Sequence, residues 1–292
     1  MVELIQGVSQ FLMSVFAAGS IQTSAELNQL QQAELPLQQR IPGGVAIIPI
    51  GYGLKQPKAS FNGHQVMVLR PDEQKPWQAV VGIPLGQTPG SAVIKVGNKS
   101  YRFDVKDFPY KEQRLTVNSK HVSLSKDNLQ RVRREKEQIV EAFKTFSNEH
   151  SYSPLAWPLV GQISSPFGLK RFFNDKPRKP HSGLDVAAAT GTPILAPADG
   201  KVILTGDFFF NGNSVFIDHG QGLVSMYCHL NSIEVTQSER VTAGDRLGTV
   251  GATGRVTGPH LHWSVSLNNA RVNPLLLMAP LQGVASNAEK EG

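Results

Sequence analysis

The chain has 292 residues, 40% of them hydrophobic, which is enough for packed cores in about two domains. The net charge of +6 suits an anionic partner, but no nucleic-acid motif accompanies it and Lys and Arg are scattered apart from Arg131, Arg133 and Arg134, so no nucleic-acid function is expected. One cysteine excludes an internal disulfide and a closed thiolate metal site, and no stretch reaches the roughly 20 apolar residues of a membrane span.

Residues 1–40 read as a leader or flexible N-terminal segment. They hold no Lys or Arg before Arg40, and the apolar patch at 11–18 is short, so the positive start and long apolar core of a secretory signal are missing. From 41 to 118 short apolar runs alternate with turn residues, and seven strands are expected, over 45–50, 58–61, 65–69, 77–83, 92–96, 101–105 and 114–117. Asn62-Gly63 and Gly97-Asn98-Lys99 mark hairpins, and the spacing predicts a small β-sandwich. His64 and His121 read as exposed loop residues. Residues 119–153 form a helical linker: Ser125 is placed to cap it, and Leu129, Val132, Ile139 and Phe143 recur at helical steps. On its wet side Arg131 with Glu135, and Arg133 with Glu137, make i,i+4 pairs. Pro154 marks a boundary, after which residues 154–280 are rich in Gly and in strand patterns and predict an antiparallel β-sheet domain. Its strands are expected over 200–205, 214–218, 224–230, 247–251 and 261–267, with a flexible tail over 281–292. The whole chain is therefore mainly β.

The chemistry gathers in this second half, where five of the eight histidines lie between 181 and 262. Residues 260–267 alternate strictly, so His260 and His262 share one face of a half-buried strand while Trp263 and Leu267 enter the core. In His181-Ser182-Gly183-Leu184-Asp185, an extended chain would put His181 and Asp185 on one side with only Gly183 between them, free to bite one ion. Residues 225–230 alternate too, placing Tyr227 and His229 on one polar face and Cys228 on the other, as a small buried residue. His219 opens a turn and reads as structural. Three His/Asp ligands with a fourth position left for water is how catalytic zinc is held.

The pattern H-x-x-x-D, then Y-x-H-L, then G-P-H-L-H-W resembles the zinc metallopeptidases of the lysostaphin and LytM family. The likeness runs over about 157–276 and takes in Ser165-Pro166-Phe167-Gly168, Pro197-Ala198-Asp199-Gly200 and Gly251-Ala252-Thr253-Gly254. It implies the duplicated hybrid motif fold and one zinc per chain held by His181, Asp185 and His262. It also implies that His229 and His260 assist catalysis without being ligands, that the substrate is the peptide crosslink of bacterial peptidoglycan, more of the D-Ala-diaminopimelate type, and that the protein works in the periplasm or outside the cell. Either of those two histidines can serve as general base, with the other, joined by Tyr227, stabilising the oxyanion. The alternative is a catalytically silent LytM-like module that binds the wall or activates an amidase; the full set of ligands argues against it. With all this chemistry after Pro154, that portion is expected to fold by itself, and the front half to cover the cleft or to target the wall.

Overall fold

The computed structural model describes residues 35–115, 125–148 and 152–278; the tail, His121 and nearly all of the leader lie outside the described residues. The first sheet contains β1 (Val45–Gly51), β2 (Ala59–Phe61), β3 (His64–Leu69), β4 (Trp77–Gly82), β5 (Gly90–Val96) and β6 (Lys99–Val105), in the order β1-β4-β3-β2-β5-β6. Strand β3 belongs to both halves: His64 to Val66 pair with β2, and Met67 to Leu69 with β4. Alternate residues such as Ile48, Val68, Val81, Ile94 and Phe103 point into one core between the halves. At the β2–β3 turn both Asn62 (φ 48°) and Gly63 (φ 81°) are left-handed, as a two-residue hairpin requires.

The seventh expected strand leaves this sandwich. Strand β7 (Glu112–Leu115) pairs in parallel with β9 (Lys170–Phe173), which also pairs with β10 (Lys176–Pro177). The place in the sandwich expected for 114–117 from spacing alone is corrected here, because an edge of the second half pairs with the strand instead. The helix α1 (Lys126–Phe143) then follows, with the Ser125 hydroxyl accepting from the Asn128 N–H at 3.2 Å. Arg131 and Glu135 form the expected ion pair at 2.5 Å.

The second half is built on a ten-stranded sheet. Its main path joins β16 (Arg240–Val241), β13 (Gly200–Phe208), β14 (Gly212–Asp218), β15 (Leu223–Ile233), β18 (His260–Leu267), β11 (Leu184–Ala187) and β8 (Gln162–Ser165), in that order. Strands β12 (Pro193–Leu195), β17 (Arg246–Val250) and β19 (Ala270–Val272) flank this path. Side chains alternate between two faces. Val215, Ile217, Leu223, Tyr227, Leu261, Trp263 and Val265 form the core face. On the other face α1 lays Ala142 and Phe143 over Phe208, Phe216, Val224 and Met226.

Val45, Met67, Leu69 and Val80 of the first sheet belong to the same core as Trp263 and Leu267. Asn268 ties the halves further, accepting from the Gly82 N–H at 2.6 Å and donating to the Gly82 carbonyl at 3.0 Å. A Cβ at Gly82 would meet the Leu267 carbonyl at 2.6 Å, so the backbones touch. Burying an aliphatic side chain stabilises by roughly 1.5–3 kcal/mol, and four of them rival the roughly 5–15 kcal/mol that holds a domain folded. The packing therefore speaks against a second half that folds alone. It also removes the first sheet as a cover for the cleft, because that sheet docks on the core side. The element laid over the other face is α1.

Candidate metal centre

On that other face, beyond the reach of α1, β11 and β18 bring the histidine motifs together. Antiparallel pairing sets Asp185 opposite His262 and Ala187 opposite His260. His181 precedes β11 in a loop, not on the strand the spacing suggests, and its ring folds back to the carboxylate. The loop can lie this close because residue 183 is glycine: a Cβ there would meet the Trp263 carbonyl at 2.6 Å, Ser264 Oγ at 2.7 Å and His262 Cε1 at 2.8 Å. His181 Nε2 then stands 3.0 Å from Asp185 Oδ1 and 3.1 Å from His262 Nδ1, and His262 Nδ1 stands 2.8 Å from the same carboxylate oxygen.

The outer contacts decide where the imidazole protons are. His181 Nδ1–H donates to the Pro166 carbonyl at 2.9 Å, with Ser165 Oγ beside it at 3.3 Å, so Nε2 holds a lone pair. Ser264 Oγ donates to the Ser182 carbonyl at 3.0 Å and so accepts from His262 Nε2–H at 2.9 Å, leaving the lone pair on Nδ1. Two lone-pair nitrogens and a carboxylate oxygen thus converge with no proton between them. Burial opposes ionisation of Asp185, but the hydrogen bond and charge that either ring would offer on taking a proton at its inward nitrogen outweigh it and hold the carboxyl well below the usual carboxylate range. Burial likewise lowers the pKa of His262, against the pull of Asp185. Three acceptors without a donor fit a cation, and an imidazole-carboxylate set suits zinc. Their ligating atoms all lie within 4.8 Å of one another.

His229 and His260 stand beside this group. Their ring centroids are 4.9 Å apart, and His229 lies 6.2 Å from His262. Each gives Nδ1–H to a backbone carbonyl, His229 to Thr253 and His260 to Gly258, both at 2.9 Å, which leaves Nε2 as an acceptor on each ring. Burial, the largest influence on His229, pushes its pKa down to about 4 against the opposing bond to Thr253, so the ring is neutral at neutral pH.

Simple alternation does not put His229 there. Its φ is +67°, its N–H donates to the Asn211 carbonyl at 2.8 Å, and the β14–β15 register shifts between Asn213 and Val215. This bulge adds one residue, so Cys228 and His229 turn to the same side. Two expectations are corrected. Tyr227 pairs with Trp263 on the core face and is fully buried, its hydroxyl 2.9 Å from Ser225 Oγ, so it cannot reach an oxyanion at the metal centre. Cys228 pairs with His262 and lies on the histidine side, packed under Phe216 and Phe143. Burial raises its thiol to about 12 and leaves it inert.

Several supporting residues carried no legible signal. Arg171 donates to Ser165 Oγ at 2.9 Å and comes within 3.7 Å of Asp185 Oδ2, yet nothing in Lys170-Arg171-Phe172-Phe173 announces it. Ser264 lies on the polar face of the alternating strand, which was its only mark. Tyr110 from the front half fills the space over Gly168, where a Cβ would meet its ring at 2.0 Å, and Gly168 N–H donates to the His181 carbonyl at 2.8 Å. The front half therefore braces the loop that carries His181.

The model of "Peptidase family M23" matches residues 179–274, which include His181, Asp185, His229, His260 and His262, and that of "Peptidase family M23 N-terminal domain" matches 38–107. A Pseudomonas aeruginosa protein described as a peptidase M23 is 44% identical in its crystal structure, with a TM-score of 0.71, over 83% of this chain and 96% of that one. The chain belongs to peptidase family M23. Family M23 consists of zinc metallopeptidases, and the donor set of this M23 chain fits that metal. The DD-carboxypeptidase/endopeptidase Mpg of Neisseria meningitidis is 41% identical over 124 residues, 42% of this chain and 29% of Mpg. The peptidoglycan DD-endopeptidase ShyA of Vibrio cholerae is 39% identical over 121 residues, 41% of this chain and 28% of ShyA. The match spans less than a third of the length of these curated relatives.

Proposed function

We propose that this M23 chain is a zinc metalloendopeptidase that hydrolyses peptide crosslinks of bacterial peptidoglycan, working in the periplasm or outside the cell. The observation that carries the reading is the convergence of His181 Nε2, His262 Nδ1 and Asp185 Oδ1, three acceptors with no proton among them. The substrate class is supported by the names of Mpg and ShyA, both of which include endopeptidase, with D,D crosslinks favoured. No helix among the described residues is long and apolar enough to cross a membrane.

In this reading His181, Asp185 and His262 hold the zinc, which when bound acidifies a water and polarises the scissile carbonyl. His229, kept neutral by burial and anchored through Thr253, presents Nε2 to take the proton of the attacking water and pass it to the departing amine. His260, anchored through Gly258, stands 4.9 Å away and, when its Nε2 carries a proton, donates a hydrogen bond to the carbonyl oxygen on which charge develops. Ser264, Ser165 and Pro166 keep the ligand rings in the tautomers they need.

The test is digestion of isolated cell wall by the purified full chain, with zinc, with chelator, and with zinc restored. Release of new amino termini that stops with chelator and returns with zinc is expected. Zinc-loaded protein that binds wall and releases no amino termini would overturn the peptidase reading in favour of a silent wall-binding module.

A further inference from the structure

Between the middle and later turns of α1 and the histidine side of the sheet lies a cavity of about 330 Å³. Its walls are partly aliphatic and aromatic, through Ile139 and Phe208, and partly cationic, through Lys136, Lys179 and Arg271. The one carboxylate in its lining, Glu135, is already committed. Its Oε1 accepts from Arg131 Nε at 2.5 Å and its Oε2 from the Phe209 N–H at 2.8 Å. No carboxylate pairs with Lys136, Lys179 or Arg271 among the described residues.

Arg271 is the most informative of the three. Its guanidinium lies 3.2 Å from the centroid of the Phe143 ring, and Nη1 donates to Ser266 Oγ at 3.0 Å and toward the Asn269 carbonyl at 3.5 Å. These contacts hold the group in place in the cavity lining, and Nε and Nη2 have no protein acceptor among the described residues. Burial lowers its pKa to about 9, which is the mark of a cation kept from water without an anion beside it. A held guanidinium with two free donors matches a carboxylate.

The cavity also lies on the same side of the sheet as the metal centre. Lys179 stands two residues before His181, and the Asn211 carbonyl at the cavity wall receives the His229 N–H. Arg271 pairs with Ser266, four residues along β18 from His262, or about 13 Å at the rise of a strand. An extended peptide covers that distance in about four residues.

We propose that this cavity is a subsite for a carboxylate of the extended peptide whose scissile bond lies at the metal centre; the proposal rests on the peptidase reading above. Arg271 pairs with the carboxylate, Lys136 and Lys179 supply the surrounding positive field, and Ile139 with Phe208 covers the adjoining aliphatic chain.

The test uses zinc-loaded full chain and pairs of soluble crosslinked peptides, identical except that a carboxylate about four residues from the scissile bond is a carboxamide in the second member. One pair carries the group on each side of the bond. The wild type is expected to favour one carboxylate over its carboxamide at least tenfold in kcat/KM, mostly through KM. In Arg271→Gln, and in the exposed Lys136→Gln/Lys179→Gln pair, which stays informative should Arg271→Gln fail to fold, that ratio should fall to near one. Cleavage without discrimination in the wild type, or discrimination that survives both changes, would overturn the subsite. Should the wild type cleave no peptide, calorimetric titration decides separately: tighter binding of the carboxylate peptide, lost in the variants, keeps the subsite while the peptidase reading falls, and equal affinities remove both.

Discussion

The second sheet carries a buried polar cluster on each of its faces, and the two are built from similar residue types to opposite ends. On the core face His219 gives and receives at both ring nitrogens, with the Asp199 carbonyl and Ser225 Oγ each at 2.7 Å, and Ser225 Oγ meets the Tyr227 hydroxyl at 2.9 Å. Every polar atom in that chain of contacts has a partner inside the protein, so it braces the core and asks for nothing more. On the other face the outer nitrogens of His181 and His262 are satisfied in the same way, but the inner ones point at each other and at Asp185. A buried polar cluster becomes a site when its internal accounting is left open, and the sign of the open groups names the ligand. Here three acceptors ask for a cation.

The sharpest way to break that contrast is at a ligand. His262→Ala should lose bound zinc by metal analysis and lower wall digestion by about 10⁴-fold or more, since the metal's share of transition-state stabilisation goes with it. Full zinc occupancy in the variant would take His262 out of the ligand set. His229→Ala and His260→Ala come next. Both should keep one zinc per chain and the wild-type melting profile while kcat falls by about 10²–10⁴. A wild-type rate in either would end its assigned role. The closed cluster should answer in the reverse sense. His219→Ala leaves Ser225 Oγ and the Asp199 carbonyl without their partner and opens a void, which should cost about 2–4 kcal/mol in urea unfolding with zinc content unchanged. Loss of zinc before loss of fold would show that the two clusters are not separate. The smallest effect belongs to Ser264→Ala, which frees His262 Nε2–H from its anchor and should weaken zinc binding about 10–100-fold in a competition titration, with all three ligands intact. Unchanged affinity would mean that the ring needs no such support.

Much of this centre is legible in the sequence. Strict alternation over residues 260–267 is a property of the chain itself, because a strand must send neighbouring side chains to opposite sides, and it gave His260 and His262 a common face that β18 displays. The same rule misled at 225–230. Alternation assigned Tyr227 and His229 to one side, whereas a bulge turns His229 over and leaves Tyr227 in the core. The cause is a hydrogen bond from His229 N–H to Asn211, eighteen residues earlier, and no local pattern encodes a partner that distant. Nor did the apolar runs of 41–118 show that the outward residues Met67 and Val80 belong to the core of the other half. An apolar side chain states that it will be buried without stating against what.

By itself the sequence determined the mainly β character, the hairpin at Asn62-Gly63, the capped helix after Ser125 and the common face of His260 and His262, because each follows from short-range geometry carried within a few neighbouring positions; the choice of His181, Asp185 and His262 as the metal set came from the family resemblance. Tertiary structure alone decided which nitrogen of each ring faces inward, that His229 stands with His260, that Tyr110 braces the loop of His181, and that Arg271 lines a cavity under α1 with no carboxylate partner among the described residues. Each of these depends on a contact between segments many residues apart, and such contacts exist only once the two sheets and the helix have packed.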